Sequence, residues 1–143
     1  MWYNGIIQWL CRSPFHSFIS SSMMLITYTG RKSGKRYTLP VNYLRLDSDD
    51  GVTFLTTSLR QRTWWRNLRG GVPVTIRVQG KDHTASANVI EDDEGIAKNL
   101  MLYLSKLPDI ARYFQVSLEA NGQPDAADVA LAAQKRVIIL TQL

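Results

Sequence analysis

The sequence predicts a mainly β protein with small helices, in which about six antiparallel strands curl into a small barrel. Several short runs of β-branched and aromatic residues follow one another along the chain. Most connections between these runs are too short for the crossover that parallel strands require. Six antiparallel strands with one apolar face can close on themselves. The chain has 143 residues, which predicts one domain over residues 1–143.

The first two predicted strands flank a basic loop, and a third strand follows after a turn. The run "MMLITYTG" is typical of a buried strand, and Gly30 ends it. Residues from Tyr37 to Tyr43 alternate between apolar and polar, which predicts a half-buried strand. Pro40 cannot donate to a ladder, so this strand is expected at a sheet edge or with a bulge. "LDSDDG" predicts a turn, and "VTFLTTSL" predicts the next strand.

A short helix and a hairpin come next. "TWWRNLRGG" predicts a helix that Thr63 caps and two glycines end, with Trp64 and Leu68 on its buried face. "VPVTIRV" and "HTASANVI" then predict two strands joined by a two-residue turn at Gly80–Lys81.

Helices are expected at both ends of the chain. A helical segment over about residues 92–135 carries an apolar stripe at Ile96, Leu100, Leu104 and Leu107, and the strand "RVIILTQL" follows it. An N-terminal helix is expected over about residues 1–20, packed on the domain. Its polar face carries only Arg12, so a membrane contact is unsupported. No apolar run is long enough to span a bilayer.

Positive charge is concentrated in the middle of the chain. From Arg31 to Lys81 there are eleven Lys and Arg against three acidic residues, whereas the net charge of the whole chain is +5. This local excess predicts an anionic partner. The single cysteine excludes an intramolecular disulfide and favours the cytoplasm.

The loop "GRKSGK" holds much of that charge in six residues. Glycine-flanked turns expose backbone N–H groups that can bind an anion, and Ser33 adds a hydroxyl donor. Arginine grips a phosphate or carboxylate with two parallel hydrogen bonds, and lysine adds a point charge. A solvated turn would carry the same residues, so the loop sequence alone leaves both interpretations open.

A second basic segment, "LRQRTWWRNLR", is expected at the same rim of the barrel. Trp64 sits at helical spacing from Leu68 and is therefore assigned to the core. Trp65 points to another face and is predicted to form a wall against a planar ring.

Other catalytic signals are weak. His16 and His83 lie far apart without cysteine partners at ligand spacing, so no metal site is predicted. The chain has no nucleophile elbow, Walker loop or dinucleotide fingerprint. An enzyme of this kind needs a cofactor to carry its chemistry.

"TGRKSGKRYTLPVNY", a strand ending in "TSL", and "RTWWRNLRGGVPVTIRV" resemble the deazaflavin-dependent nitroreductase and quinone reductase family. The resemblance runs from about Leu25 to Val89. It implies a split β-barrel of the flavin-reductase and pyridoxamine-phosphate-oxidase class. It also implies hydride transfer from reduced deazaflavin (coenzyme F420) to a small acceptor such as a nitroaromatic, a quinone or an activated alkene.

The resemblance also implies roles for particular residues. The basic loop would hold the phosphate and acidic tail of the coenzyme, while a following strand, a further loop and the "W-x-x-N" pair would lie near its ring system. The cofactor-binding residues are then Arg31, Lys32, Ser33, Gly34, Lys35, Arg36, Pro40, Asn42, Ser58, Arg60, Trp64 and Asn67. Trp65 and Tyr113 are the predicted substrate contacts. Tyr113 is also the one candidate proton donor, and no residue is assigned as an essential acid, base or nucleophile.

Some residues depart from the family pattern. Arg36–Tyr37 stands where many members have Pro-Arg, Leu107 replaces a tyrosine, and Glu119 to Asp128 is expected to be an insertion. FMN or haem in the same barrel, or binding without turnover, therefore remain alternatives. A nucleic-acid-binding barrel is less favoured because the cations cluster at one loop. The acceptor and the oligomeric state, including a homodimer, stay open.

Overall fold

The computed structural model describes residues 23–49 and 51–143. The helix expected over about residues 1–20 lies outside the described residues. All strands of the described chain belong to one seven-stranded sheet in which every neighbouring pair is antiparallel. The strands are β1 Met23–Thr29, β2 Arg36–Asn42, β3 Leu44–Ser48, β4 Gly51–Leu59, β5 Val72–Val78, β6 Lys81–Ile90 and β7 Arg136–Gln142.

The sheet order β2-β1-β5-β6-β7-β4-β3 explains how the sheet closes. Its two edge strands, β2 and β3, are consecutive in sequence and only Tyr43 separates them. The chain can step from one edge to the other over one residue only if the sheet curls round. Across this junction the Thr56 hydroxyl donates to the Asn42 carbonyl over 3.0 Å. The predicted class, a mainly β antiparallel split barrel, is confirmed.

The strand count is seven rather than six because β3 was included in a predicted turn. Leu44–Ser48 pairs with β4 in full register down to Ser48 and Gly51. The turn in "LDSDDG" is therefore confined to its last residues. The polar residues of β3 lie on an exposed edge strand, where water can solvate them, so composition alone carries no strand signal.

The position of Pro40 agrees with the sequence prediction, and the turn between β5 and β6 differs from it. Pro40 lies in the edge strand β2, as predicted, where it pairs with Leu25. The hairpin turn between β5 and β6 is Gln79–Gly80, one residue earlier than predicted, because Val78 pairs with Lys81. Both turn residues have positive φ, at 50° and 79°. Two-residue hairpins commonly need that conformation at both positions.

The helices are short and lie mainly after β6. They are a 3₁₀ helix Trp64–Leu68, α1 Asp93–Lys106, a second 3₁₀ helix Pro108–Phe114 and α2 Ala126–Ala133. The Asp92 carboxylate accepts from the Gly95 N–H at the start of α1, and Asp125 caps α2 in the same way. Carboxylate caps of this kind satisfy N–H groups that the helix leaves free.

Two apolar layers share the sheet between them. One fills the barrel and includes Phe54 and Ile76, and the other lies between the sheet and the helices and includes Leu55 and Leu100. Neighbouring residues of one strand thus face different layers. The strand β7 has apolar residues on both faces, with Ile139 in the barrel and Ile138 under the helices. This explains why "VIIL" does not alternate.

Candidate functional site

A groove of about 350 Å³ lies beside the C-terminal ends of β2 and β4. Five of the predicted site residues line it together, namely Pro40, Asn42, Ser58, Trp64 and Tyr113. The rest of the lining comes from Val41, Thr57 and Leu59 on the same two strands, Arg62 after β4, Tyr103 and Phe114 of the helical region, and Arg136 at the start of β7. Residues far apart in sequence thus form one groove with aromatic and cationic walls.

Trp64 is fixed in this groove by a hydrogen bond. Its indole Nε1 donates to the Ser58 hydroxyl over 3.0 Å, and that hydroxyl in turn donates to the Leu59 carbonyl over 3.3 Å. Ser58 is buried. Its side chain therefore orients Trp64, while the half-buried indole forms the wall of the groove.

Trp65, and not Trp64, is the tryptophan of the core, contrary to what the helical spacing predicted. Trp65 is only 2% exposed and belongs to the barrel core, so the prediction that it forms a substrate wall is wrong. The reason is the type of helix. Residues 64–68 form a 3₁₀ helix with about three residues per turn, so Trp65 and Leu68 share the buried face. The spacing of an α-helix would instead pair Trp64 with Leu68.

The basic loop has a defined backbone. The Gly30 N–H donates to the Lys35 carbonyl over 2.8 Å, and the Gly34 N–H donates to the Gly30 carbonyl over 2.9 Å. Gly34 has a φ of 71°, which side chains other than glycine rarely tolerate. A Cβ on Gly30 would lie 2.8 Å from the Ser33 hydroxyl. The Ser33 hydroxyl also accepts from the Lys35 N–H over 3.2 Å, so this side chain shapes the loop.

The loop is tied to the groove by Asn67. The Arg31 N–H donates to the Asn67 side-chain oxygen over 3.0 Å, and the Asn67 amide donates to the Trp64 carbonyl over 2.9 Å. The Arg31 guanidinium also donates to the Arg69 carbonyl. Three of the predicted residues are therefore linked by hydrogen bonds. Arg31 acts within this link, which partly satisfies its guanidinium.

The other loop cations are available to a ligand. Lys32, Lys35 and Arg36 are exposed, and none of the ion pairs in the described residues involves them. By contrast, Arg69 forms a two-point ion pair with Glu91 at 2.8 and 2.9 Å, which lowers the pKa of Glu91. Arg36 lines a separate pocket with Thr29 and Thr75. The structure therefore keeps Arg36 apart from the groove.

Arg60 does not line the groove, contrary to its predicted role in a loop over the coenzyme. Its Nη2 donates to the carbonyls of Glu91 and Arg136, both over 3.3 Å, and lies 3.5 Å from the Asp93 carboxylate. These bonds join the end of β4 to the start of α1 and to β7. Arg62, two residues later, lines the groove in its place. Both lie in "LRQRTWW", and sequence alone could not tell which one turns inward.

Tyr113 stands at the mouth of the groove. Its side chain is 66% exposed. The Arg112 guanidinium donates to its hydroxyl over 2.9 Å and lies 4.9 Å from the ring centre. A phenol in this position can reach a bound molecule, and Arg112 orients it.

Seven residues that line the groove were missing from the predicted site, and four of them carry aromatic or charged side chains, namely Arg62, Tyr103, Phe114 and Arg136. Tyr103 lies on α1, and burial raises its pKa to about 12. It adds a polar-tipped aromatic to the buried face of that helix, beside Leu100 and Leu104, a signal that could have marked it. Arg136 opens β7, and its charge directly before "VIIL" is the corresponding signal.

Two kinds of feature are not found in the described ranges. Residues 23–49 and 51–143 contain no cluster of three or more His, Cys, Asp or Glu side chains that could hold a metal ion. No helix within that part of the chain is both long enough and apolar enough to cross a bilayer.

Comparison with solved structures concerns the fold. The Agrobacterium tumefaciens protein Atu2129, of unknown function, is 14% identical, with a TM-score of 0.52 over 92% of this chain and 55% of that one. The F420-H2 dependent reductase FDR-A and a protein described as a domain-swapped dimer are each 18% identical over 83% of this chain. The chain covers 93% and 79% of them, with TM-scores of 0.46 and 0.49. Of the three, Atu2129 supports the fold class.

The family is shown by a comparison of the sequence itself. No curated protein gives a match. Residues 15–115 match the family model described as F420H(2)-dependent quinone reductase. That stretch contains the basic loop, β2, the end of β4 and the Trp64–Asn67 pair. The chain therefore belongs to the F420H2-dependent quinone reductase family, whose members are oxidoreductases that depend on the deazaflavin coenzyme F420.

Proposed function

We propose that this protein transfers a hydride from reduced F420 to a small acceptor such as a quinone, a nitroaromatic or an activated alkene. The observation that carries the proposal is the hydrogen-bonded link between the basic loop and the groove. Arg31, Asn67 and Trp64 join a site suited to an anionic tail to a groove suited to a planar ring. One molecule with both parts would occupy both.

The residues present fit such a coenzyme. Lys32 and Lys35 are exposed and offer positive charge that no ion pair in the described residues engages. The groove beside Pro40 and Trp64 measures about 350 Å³, within the range of small-molecule sites. An acidic tail on the loop and a ring against Trp64 match this distribution of charge and apolar surface.

The coenzyme would supply the hydride itself. The task of the chain is then to bind, orient and exclude water. Lys32 and Lys35 would hold the acidic tail by charge-assisted hydrogen bonds. Pro40 and Asn42 would lie beside the ring, and Trp64, held by Ser58, would cover it. Tyr113, at the mouth, would meet the acceptor and orient it.

Equilibrium titration with F420 and with FMN, followed by fluorescence, tests the cofactor. We expect F420 to bind more tightly, because FMN lacks the extended acidic tail. The double variant Lys32→Ala/Lys35→Ala should bind F420 more weakly than the unmodified protein. The expected loss is about tenfold to a hundredfold for each lysine removed. Lys98→Ala, which removes an exposed lysine from α1, is the matched control. Its affinity should equal that of the unmodified protein.

Turnover is measured by following oxidation of reduced F420 with menadione and with a nitroaromatic. Affinity for F420 should also fall as salt rises, because exposed charges are screened over about 10 Å at 0.1 M. Micromolar binding of FMN without binding of F420 would overturn the proposal in favour of a flavin protein. Tight F420 binding without oxidation by any acceptor would leave a binding protein instead of a reductase.

A further inference from the structure

The guanidinium of Arg136 brings a further cation to the wall of the groove. Arg136 opens β7 and pairs with Leu59 at the end of β4. Its guanidinium carbon lies 3.9 Å from the centre of the Phe114 ring. Arginine stacked on an aromatic ring loses much of its freedom to move. The backbone is held too, since the Arg136 carbonyl accepts from Arg60.

Arg136 lies where two pockets meet. It lines the groove beside Trp64, and it also lines a second pocket of about 310 Å³ that extends toward Leu131 and Gln134. Tyr113 and Phe114 line both pockets as well. A molecule that stacks on a ring in the groove and extends past Tyr113 would bring its polar atoms to this guanidinium.

The charge of Arg136 has no carboxylate partner among the ion pairs of the described chain. Burial lowers its pKa, so its charge is poorly solvated, although a guanidinium stays protonated in proteins. A half-buried cation held rigid at the wall of a groove can stabilise a negative charge that develops there, without reorganising.

We propose that Arg136 binds the oxygen of the acceptor that becomes negative during reduction, which rests on the proposed function above. Hydride transfer to a quinone forms one new bond to hydrogen and leaves a hydroquinone anion, with its charge on oxygen. The bond between that hydrogen and reduced F420 would break, and its electron pair would leave with the hydride, so that F420 is oxidised. A proton from water would complete the hydroquinone. Arg136 thus selects acceptors whose reduction produces an oxyanion, such as quinones and nitro compounds.

Two acceptors that change charge in different ways during reduction test this role. Menadione gains negative charge on oxygen, whereas methylene blue is a cation that the hydride neutralises. For Arg136→Met we expect kcat/KM for menadione to fall by about tenfold to a hundredfold. The value for methylene blue should stay within about threefold or rise, because no oxyanion forms. Arg136→Lys should recover part of the loss with menadione, since it keeps the charge without the two-point contact.

The controls separate this role from the alternatives. Arg45→Met, which removes an exposed arginine from β3, should leave both acceptors unchanged. A matching loss with both acceptors, or a loss of F420 affinity of the same size, would overturn the proposal, since Arg136 would then hold the coenzyme or the fold. Unchanged kinetics with menadione would overturn it too. Arg136→Gln, of similar length, serves if the methionine variant does not fold.

A binding measurement keeps this test independent of turnover. With oxidised F420 present, 4-nitrophenolate carries the oxyanion and cannot accept a hydride from it. We expect its dissociation constant to rise by about tenfold or more in Arg136→Met and to stay unchanged in Arg45→Met. Equal binding to both variants would refute the role of Arg136. If the unmodified protein oxidises no reduced F420, the proposed function fails, and this titration still decides whether Arg136 binds an oxyanion.

Discussion

The backbone N–H of Arg31 donates to the side-chain oxygen of Asn67 across 36 residues of sequence. The same asparagine donates from its amide to the Trp64 carbonyl. Asn67 therefore uses both ends of its side chain to hold the basic loop against the helix that carries Trp64. This explains why a glycine-rich basic loop and a "W-x-x-N" pair occur in one chain.

Replacing Asn67 should separate the loop from the groove. In Asn67→Ala both hydrogen bonds are removed, which should lower stability by about 1–2 kcal/mol and weaken F420 binding by about threefold to tenfold. Asn67→Asp is the matched variant, because it keeps the acceptor for Arg31 and loses the donor to Trp64. The affinity of Asn67→Asp for F420 should lie between that of the parent protein and that of Asn67→Ala. Urea unfolding and fluorescence titration measure the two effects, and an affinity of Asn67→Ala equal to the parent would argue against the link.

Substitution of Arg60 should mainly lower stability, whereas substitution of Arg62 should mainly weaken ligand binding. Arg60→Met removes hydrogen bonds to two carbonyls and should lower stability by about 1–3 kcal/mol, with F420 affinity little changed. Its exposed contact with Asp93 adds at most about 1 kcal/mol. Arg62→Met should keep stability and weaken binding of F420 or of the acceptor, because Arg62 lines the groove. Thermal unfolding and fluorescence titration measure the two properties. Weaker F420 binding in Arg60→Met, with stability lost in Arg62→Met instead, would support the coenzyme-binding role predicted for Arg60.

The class of fold and the position of the loop followed from patterns that are local in the chain. Alternation marked β2, apolar runs marked β1 and β7, and glycines bounded the basic loop. The polar edge strand β3 lacked such a signal, since its pairing with β4 comes from the whole sheet. The class of fold was therefore predictable, while the seventh strand was not.

The site was predictable in part, for a related reason. Five predicted residues lie together in the groove, and four of them (Pro40, Asn42, Ser58 and Trp64) belong to the motifs that resemble the family. Trp65 failed because the sequence does not distinguish a 3₁₀ helix from an α-helix over five residues, and that difference decides which tryptophan is buried. Arg136 was missed because its place in the wall of the groove depends on Phe114 and on the end of β4, which lie far away in sequence.

Tyr113→Phe should reduce turnover without changing F420 affinity. The hydroxyl accepts a hydrogen bond from Arg112 and lies on an exposed ring, so its loss should barely affect the fold. If the phenol orients the acceptor or supplies its proton, kcat should fall by about tenfold to a hundredfold. Steady-state kinetics with menadione measure the change, and Tyr113→Ala shows how much the ring contributes. Complete loss of turnover in Tyr113→Phe would mean that the phenol is essential, contrary to our expectation.

Tyr103 should make the protein less stable at alkaline pH. Burial raises its pKa from 10.0 to about 12 in the folded protein, so the folded state keeps a proton that the unfolded chain releases. A raised pKa contributes stability that is fully present below the unfolded pKa. It is lost as pH rises through the folded one. Between about pH 10 and pH 12 the loss should reach about 2–3 kcal/mol, at 1.36 kcal/mol for each pKa unit.

Tyr103→Phe isolates this effect, because it removes the titrating hydroxyl and keeps the ring in the core. The free energy of unfolding, measured with urea from pH 8 to pH 11.5, should fall less steeply in the variant than in the parent protein. Tyr43, whose pKa burial also raises, is present in both proteins and cancels in the comparison. Parallel curves for the two proteins would show that the Tyr103 hydroxyl is not desolvated in the folded state.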